Sequence, residues 1–450
     1  MIYDCFLFFN EYDILDIRLN TLKDVVDKWI IVEGSVTHSG KPKGKRFWEQ
    51  RERYAEFLDR IEYVWVEDTP DTNDNFKRQE WQRDAILRGL EKIGAKSEDH
   101  VIVSDVDEIP RPSAVLEAAK KNDCCRFKML SFFYHLNLCS SRNWNHAYIA
   151  PYGSVKDKKP TPLRHAGLTN PIERGGWHFS YAGDENSIKE KIQSFGASDR
   201  LDKPEIIANI DTAVKERRAV WDVDKNNGTH ESVFRIGYQY PQYIRDHEQE
   251  YREKGLIIDK PHVEITQVLK ESNNWFTYAP FYDRVVKDYP DFKRFVEVGV
   301  WKGHSIRHLA RALKDRDGVS IWAVDLFESS PIPKEDRKLE VENLAAIYEA
   351  NLNDYGVRDM ITDIIGYSDE CAKEFEDGSL DFVFIDADHS KEAVIANLRA
   401  WIPKVKKGGI IGGHDWPHVK YAVNQFFPEV NAEDGSVWWM KIPPIDRRTM

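Results

Sequence analysis

Two stretches of the chain alternate short apolar runs with amphipathic ones, the pattern of an α/β fold. In the first stretch, apolar runs at 3–9, 29–32 and 63–66 predict strands, while 14–26 and 47–58 carry helical spacing. Trp81, Ala85, Ile86, Leu90 and Ile93 share one helical face over 81–93, and 101–103 is a short buried strand running into acidic residues. From Trp144 to Gly183 the pattern turns irregular, mixing Pro, Gly, His and aromatic residues, which predicts a functional loop region. The polar run YIRDHEQEYREKG (243–255) predicts a solvated helix, with a domain join near Gly255–Pro261. Beyond it the pattern is doubly wound. Strands are expected at 294–298, 320–324, 361–365, 381–385, 409–412 and 437–442, with helices at 305–313, 339–351, 369–375, 391–402 and 419–427 between them. The expectation is an α/β protein of two domains, 1–255 and 291–450, joined by a linker and leading helix over 256–290.

Composition bounds the function. At 450 residues, 41% hydrophobic and 31% charged, the chain has enough apolar material for more than one core. No run approaches the ~18 apolar residues of a membrane span. The early apolar run is broken by Asp4 and lacks a basic leader or a cleavage site, so it reads as a strand and not as a signal peptide. A net charge of −12 argues against nucleic acid as a partner. Cys5, Cys124, Cys125, Cys139 and Cys371 form no C-x-x-C pair, which fits packing residues in a reducing, cytoplasmic setting.

The sharpest local feature is VIVSDVDEIP (101–110). Residues two apart in an extended segment point the same way, so Asp105 and Asp107 can present carboxylates together at a strand's carboxyl end. Hard oxygen ligands of that kind suit Mg²⁺ or Mn²⁺ bridging a diphosphate; the plainer reading is an Asp-rich turn that caps a helix. The segments YDCFLFFNEYDILDIRLNTL, IIVEGSVTHSGKPK, SDVDEIPRP and GGWHFSY follow in that order. Together they resemble family 17 of the glycosyltransferases, whose best-known members are β-1,4-mannosyl-glycoprotein N-acetylglucosaminyltransferases. The resemblance implies a GT-A-like fold over the first half, a nucleotide-sugar donor, a divalent metal and inverting transfer to a sugar hydroxyl. It implies donor contacts at Asn10, Glu33, Lys43, Ser104, Asp105 and Asp107, and a metal at Asp105 and Asp107, with His178 a further ligand. Lys41, Lys45 and Arg46 extend the basic loop around Lys43. Glu108, Asp184 and Glu185 are candidates for the general base that takes the acceptor proton.

In the second half, FVEVGVWKGHS (295–305) is a strand, a glycine turn and a helix start, and Asp325 ends the next strand. The spacing is not the G-x-G-x-x-G of dinucleotide binders. It resembles the class I S-adenosylmethionine-dependent methyltransferases, a Rossmann-like fold. That resemblance implies cofactor contacts at Glu297, Gly299, Gly303, Ser305, Asp325, Gly366 and Ser368. FIDADHS (384–390) and GGIIGGHDW (408–416) end neighbouring strands, and ligands in open sheets bind there. These loops resemble metal-dependent O-methyltransferases that modify sugar hydroxyls. By that match Asp386, His414 and Asp415 would hold Mg²⁺ or Mn²⁺, and His389 would be the general base; Asp388 reads as a loop cap.

Taken together, the expected protein is a bifunctional glycan-modifying enzyme. One half transfers a sugar, UDP-linked and of the N-acetylglucosamine type, to an oligosaccharide; the other O-methylates a sugar hydroxyl. The alternative keeps the methyltransferase and makes the first half a non-catalytic glycan-binding module. A homo-oligomer is left open.

Overall fold

The computed structural model describes residues 1–167, 170–220, 231–259, 265–272, 274–327, 343–433 and 435–443. The chain divides into two compact units, Met1–Phe234 with Pro241–Lys260, and Arg235–Tyr240 with Pro261–Met450. A single cut near 255–261 therefore misses a short excursion. Tyr238 N donates to Ile365 O at 2.6 Å, and a Cβ on Gly237 would lie 2.3 Å from that same oxygen, so 235–240 is seated on the second unit. The stretch expected as a linker and leading helix holds the helix Ala279–Asp288, whose Phe281, Tyr282 and Val285 are buried in the second unit's core.

In the first unit the strands are β1 Ile2–Leu7, β2 Lys28–Gly34, β3 Ile61–Val66, β4 His100–Asp105, β5 Glu108–Pro110, β6 Cys125–Phe133, β7 Leu138–Trp144, β8 Tyr148–Pro151, β9 Pro171–Ser180 and β10 Glu231–Val233. The sheet order is β10-β7-β6-β8-β4-β1-β2-β3, with β9 pairing β5 and β6. Strands β3, β2, β1 and β4 run parallel, and β8 joins β4 antiparallel. Parallel strands are covered on both faces, which is why β1 and β2 read as near-continuous apolar runs. Asp4 is the exception within β1, and it is fully buried against Arg18. Arg18 comes from the helix Tyr12–Leu22, on the same face as Ile14 and Leu22.

The helix expected over 81–93 is two, Asn75–Asp84 and Ile86–Lys92, meeting at Ala85. The segment expected to be irregular is largely regular. It contains β8, the helices Tyr152–Lys158 and Pro160–His165, and the ten-residue β9. Its buried residues alternate poorly because β9 bends: the β6–β9 register shifts between Phe127 and Met129, and a Cβ on Gly176 would lie 2.2 Å from Ile109 O.

The second unit has β11 Arg294–Val298, β12 Ser320–Asp325, β13 Ile361–Ile365, β14 Leu380–Ile385, β15 Val405–Gly413, β16 Asn431–Glu433 and β17 Val437–Lys441. Their order is β13-β12-β11-β14-β15-β17-β16. The first five are parallel, and β17 enters antiparallel between β15 and β16. This is a Rossmann-like sheet whose order reverses between β11 and β14, the place where such folds bind ligands. Apolar clusters cover both faces, one around Phe382, Phe384 and Tyr348, the other around Val383, Leu398 and Trp401. Of the helix expected over 339–351, the part up to 342 lies outside the described residues, and Leu344–Asp354 is helical.

Candidate active sites

A cavity of about 460 Å³ opens in the first unit at the carboxyl ends of β1, β2 and β4. The strand order reverses there too, which makes it the expected ligand crevice. Leu7 at the end of β1 and Phe8 and Phe9 just after it line the cavity, with His38 from the loop after β2, Asp105 from the end of β4 and Asp107 from the loop that follows. Phe133, Trp144, Tyr181 and Phe195 give it aromatic walls, and Lys191 reaches in from the helix Glu185–Ser194.

The acidic loop is held by cations the sequence did not flag. Arg18 Nη1 donates to the carbonyls of Asp105, Val106 and Glu108 at 3.0, 3.2 and 2.8 Å, fixing the backbone of the turn. Both carboxylate oxygens of Asp105 are taken, one by Arg83 at 2.9 Å and one by Arg164 at 2.8 Å. Burial would raise its pKa, but Arg164 and Arg83 outweigh that and hold its carboxyl well below the usual range. Asp107 faces the other way. Its Oδ2 accepts from Lys191 at 2.7 Å, and its Oδ1 lies 3.8 Å from His178 Nε2. Trp144 stacks on the His178 ring at 4.2 Å, and burial lowers that histidine's pKa, which favours the uncharged ring.

Against the expected ligand set, then, Asp107 and His178 are close enough to share one divalent cation, whereas Asp105 is committed to two guanidinium groups. Glu108, expected as a base, is fully buried and gripped through both oxygens by Arg164, with Trp144 Nε1 and Asp105 N as further donors. It positions the loop and has no lone pair directed at a substrate. Asp184 caps the helix Glu185–Ser194 by accepting from Ser187 N at 2.8 Å, and Glu185 begins that helix; neither lines the cavity.

Other donor contacts are corrected in the same way. Glu33 is fully buried and accepts from Arg46 N at 2.9 Å, Phe47 N at 3.1 Å and Tyr63 Oη at 3.0 Å. Ser104 Oγ accepts from Arg18 inside the core. Asn10 Nδ2 donates to Glu190 at 2.6 Å. Lys43 does line the cavity, but its ammonium also pairs with Glu33 at 3.1 Å, and burial lowers its pKa. His38 is a cavity residue missed from sequence; burial pushes its pKa down to about 3, so it is an uncharged contact.

In the second unit the glycine turn is tightly constrained. Gly299 has φ +85°, and a Cβ there would lie 2.0 Å from Asp386 O, so only glycine lets β11 approach the loop after β14. Gly303, φ +80°, opens the helix His304–Ala312, where a Cβ would meet the Tyr348 ring. That backbone-lined cradle fits a nucleoside-bearing cofactor at a helix start. Glu297 is fully buried beneath it, bonded by Tyr282 Oη at 2.9 Å and by Ser305 Oγ, and burial pushes its carboxyl up to about 8.

Asp325 accepts from Val300 N at 2.8 Å, Trp301 N at 3.1 Å and Phe327 N at 2.8 Å. Its Oδ2 thus serves the glycine turn's backbone and its Oδ1 its own loop after β12, so it shapes the cradle. Ser368 Oγ accepts from Trp401 Nε1 at 2.8 Å, and a Cβ on Gly366 would meet Tyr238, so these two support the loop after β13 through packing.

The loops after β14 and β15 do come together. Asp386, His389 and Asp415 form a group whose ligand atoms all lie within 4.8 Å of one another. His389 Nε2 is 3.0 Å from Asp415 Oδ2 and 3.8 Å from Asp386 Oδ1. His414 Nδ1 is 3.0 and 3.7 Å from the same two oxygens. Tyr278 Oη donates to Asp386 Oδ2 at 2.9 Å, orienting that carboxylate. These donors fit a divalent cation. His389, expected as the general base, lies within this group, and Asp388 caps its loop by accepting from Ser390 N, as expected.

The family model described as Glycosyltransferase family 17 matches residues 1–226, half of the chain. The chain belongs to glycosyltransferase family 17. A model described as Methyltransferase domain matches residues 296–416, so the family 17 domain is joined to a methyltransferase domain on one polypeptide. The β-1,4-mannosyl-glycoprotein 4-β-N-acetylglucosaminyltransferases of Rattus norvegicus and Homo sapiens are each 28% identical to it over 222 residues. That match covers 41% of this chain and 41% of each relative, so the chain spans about two fifths of their length. Among solved structures, the O-methyltransferase NovP is 21% identical with a TM-score of 0.31, covering 43% of this chain and 88% of that one. CalS11, a calicheamicin methyltransferase, is 12% identical with a TM-score of 0.28, covering 41% and 98%.

Proposed function

We propose that the first unit transfers a sugar from a nucleoside-diphosphate donor to a glycan, and that the second O-methylates a sugar hydroxyl with S-adenosylmethionine. The donor proposed is UDP-linked, of the N-acetylglucosamine type, by likeness to the relatives. The observation that carries the first half is the cavity at the strand ends, with Asp107, His178 and Lys191 converging beside aromatic walls.

The aromatic walls supply flat apolar faces for a base or a sugar ring. Arg18, Arg83 and Arg164 fix the acidic loop, so Asp107 is presented without reorganisation. Asp107 and His178 would hold the divalent cation, Mn²⁺ or Mg²⁺, which when bound neutralises charge on the departing diphosphate. Lys191, half-buried between Asp107 and Glu11, adds a fixed positive charge beside it. Burial would lower its pKa, but the two carboxylates outweigh that and keep it protonated.

In the second unit the Gly299–Gly303 turn would receive the cofactor, with Glu297 below and Asp325 holding the turn's amides. Asp386 and Asp415 would hold a cation that, when bound, acidifies and orients the acceptor hydroxyl. The two reactions on one chain favour sequential action on one glycan, ending in a methyl cap, and the five cysteines, none in a disulfide, favour a reducing compartment such as the cytoplasm. No described helix is long and apolar enough to cross a membrane. The test is product analysis: with a glycan acceptor, a UDP-sugar and labelled S-adenosylmethionine, label should enter the extended product. Methylation of unrelated acceptors alone would defeat the sequential reading.

A further inference from the structure

We propose that the cation site of the second unit is built for a borderline transition ion, of the Mn²⁺, Fe²⁺ or Zn²⁺ class, in preference to Mg²⁺, with His389 and His414 as nitrogen ligands beside Asp386 and Asp415. This rests on the reading of that unit as a cation-assisted methyltransferase and concerns which cation its own residues select.

The donor set is the argument. Two loops bring Asp386, His389 and Asp415 within ligand distance of one another, with His414 against the same two carboxylates: each histidine has a ring nitrogen 3.0 Å from Asp415 Oδ2, and the same nitrogens lie 3.8 and 3.7 Å from Asp386 Oδ1. Two carboxylates balance a dication's charge, and an imidazole that binds through a ring nitrogen adds a donor without adding charge. Mg²⁺ sheds water reluctantly and favours near-octahedral oxygen shells, whereas imidazole suits the later first-row ions.

The surroundings hold this set in place. Tyr278 pins the other oxygen of Asp386 at 2.9 Å and its ring packs on His414 at 4.9 Å. Nδ1 is the His414 nitrogen turned toward the two carboxylates, while Nε2 points away from them and meets no hydrogen-bond partner among the described residues. His389 Nε2, the atom a free base would need open, is the one turned toward the carboxylates. Asp415 sits at φ +56°, ψ +35°, a left-handed conformation costly for a non-glycine residue, and it is from there that its carboxylate faces both histidines.

The experiment is calorimetric titration of the full-length protein, stripped with a chelator, using MgCl₂, MnCl₂ and ZnCl₂ in turn. Asp386→Asn serves to assign the heat to this site, and S-adenosylmethionine binding serves as a fold control. The expected result is Mn²⁺ and Zn²⁺ binding at least ~100-fold tighter than Mg²⁺ at the site Asp386→Asn removes. His414→Asp, which restores an oxygen donor, should narrow the Mn²⁺-to-Mg²⁺ ratio at least tenfold. Mg²⁺ binding as tightly as Mn²⁺, or Zn²⁺ affinity unchanged in both His389→Ala and His414→Ala, overturns the proposal while leaving a cation-assisted methyltransferase standing. If no cation binds although S-adenosylmethionine does, both readings fall.

Discussion

Replacing Lys191 with methionine tests how the first unit handles a diphosphate. The ammonium lies 2.7 Å from Asp107 and 3.2 Å from Glu11, at the edge of the cavity. Its loss leaves two carboxylates facing an incoming anion with no cation between them. A unit-charge pair 4 Å apart is worth about 4 kcal/mol at an effective dielectric of 20. The side chain is 20% exposed and the cavity is open, so solvent halves this to ~2 kcal/mol, roughly 30-fold in Kd. The assay is binding of UDP and of uridine to wild type, Lys191→Met and Lys191→Arg. The UDP constant should weaken ~30-fold in Lys191→Met and recover most of that in Lys191→Arg, while uridine changes less than threefold. Equal losses for UDP and uridine would mean that the substitution disturbs the pocket's shape, and an unchanged UDP constant would mean that the charge is not aimed at the diphosphate. Either result refutes the reasoning.

Other perturbations have equally definite outcomes. Arg164→Leu leaves the fully buried Glu108 without its guanidinium partner and should cost the first unit about 3–5 kcal/mol in urea denaturation, partly restored by Glu108→Leu in the same chain; a cost below ~1 kcal/mol would refute the buried pair. For Glu297, burial lifts the folded-state pKa from 4.5 to about 8, so between those values the folded state holds a proton that the unfolded state has lost. The second unit's stability should therefore fall as pH rises from ~5 to ~8, by up to about 1.4 kcal/mol per pH unit, and Glu297→Gln should flatten that slope; an unchanged slope contradicts it. Gly299→Ala forces a methyl against Asp386 O in a left-handed turn and should destabilise the unit by at least ~2 kcal/mol while weakening S-adenosylmethionine and cation binding together.

What the sequence disclosed and what it hid follow one physical line. The order of strands in the doubly wound half was legible because they are apolar, buried on both faces and separated by helices; 294–298 and 361–365 agree with β11 and β13 at both ends, whereas β15 starts four residues before the expected 409, the helix expected at 419–427 is Trp416–Val423, and the short, exposed β16 was missed. The segment 144–183 was illegible because β9 bends against β5 and β6, and its glycines serve tight approaches that no periodicity announces. The acidic residues of both sites stood out as local runs. Their partners did not: Arg83, Arg164 and Lys191 reach the loop after β4 from three separate helices, so only the fold brings them together. Arg18 alone left a trace, as a charge at i+4 from Ile14 and i−4 from Leu22 on an otherwise apolar helix face. The residues Glu33, Ser104, Asp325 and Ser368 were near the right place for the wrong reason, since each spends its hydrogen bonds on the backbone or core that shapes its site.

The central claim is that Asp107 sits in a working glycosyl-transfer site, with Asp105 holding the loop beside it. Its most direct test is a donor-hydrolysis screen of the purified protein against a panel of nucleotide sugars with Mn²⁺ or Mg²⁺, reading the released nucleoside diphosphate. The account predicts turnover of one donor that is lost in Asp107→Ala while the protein still binds S-adenosylmethionine. Silence across the panel, or turnover indifferent to Asp107→Ala, would contradict it.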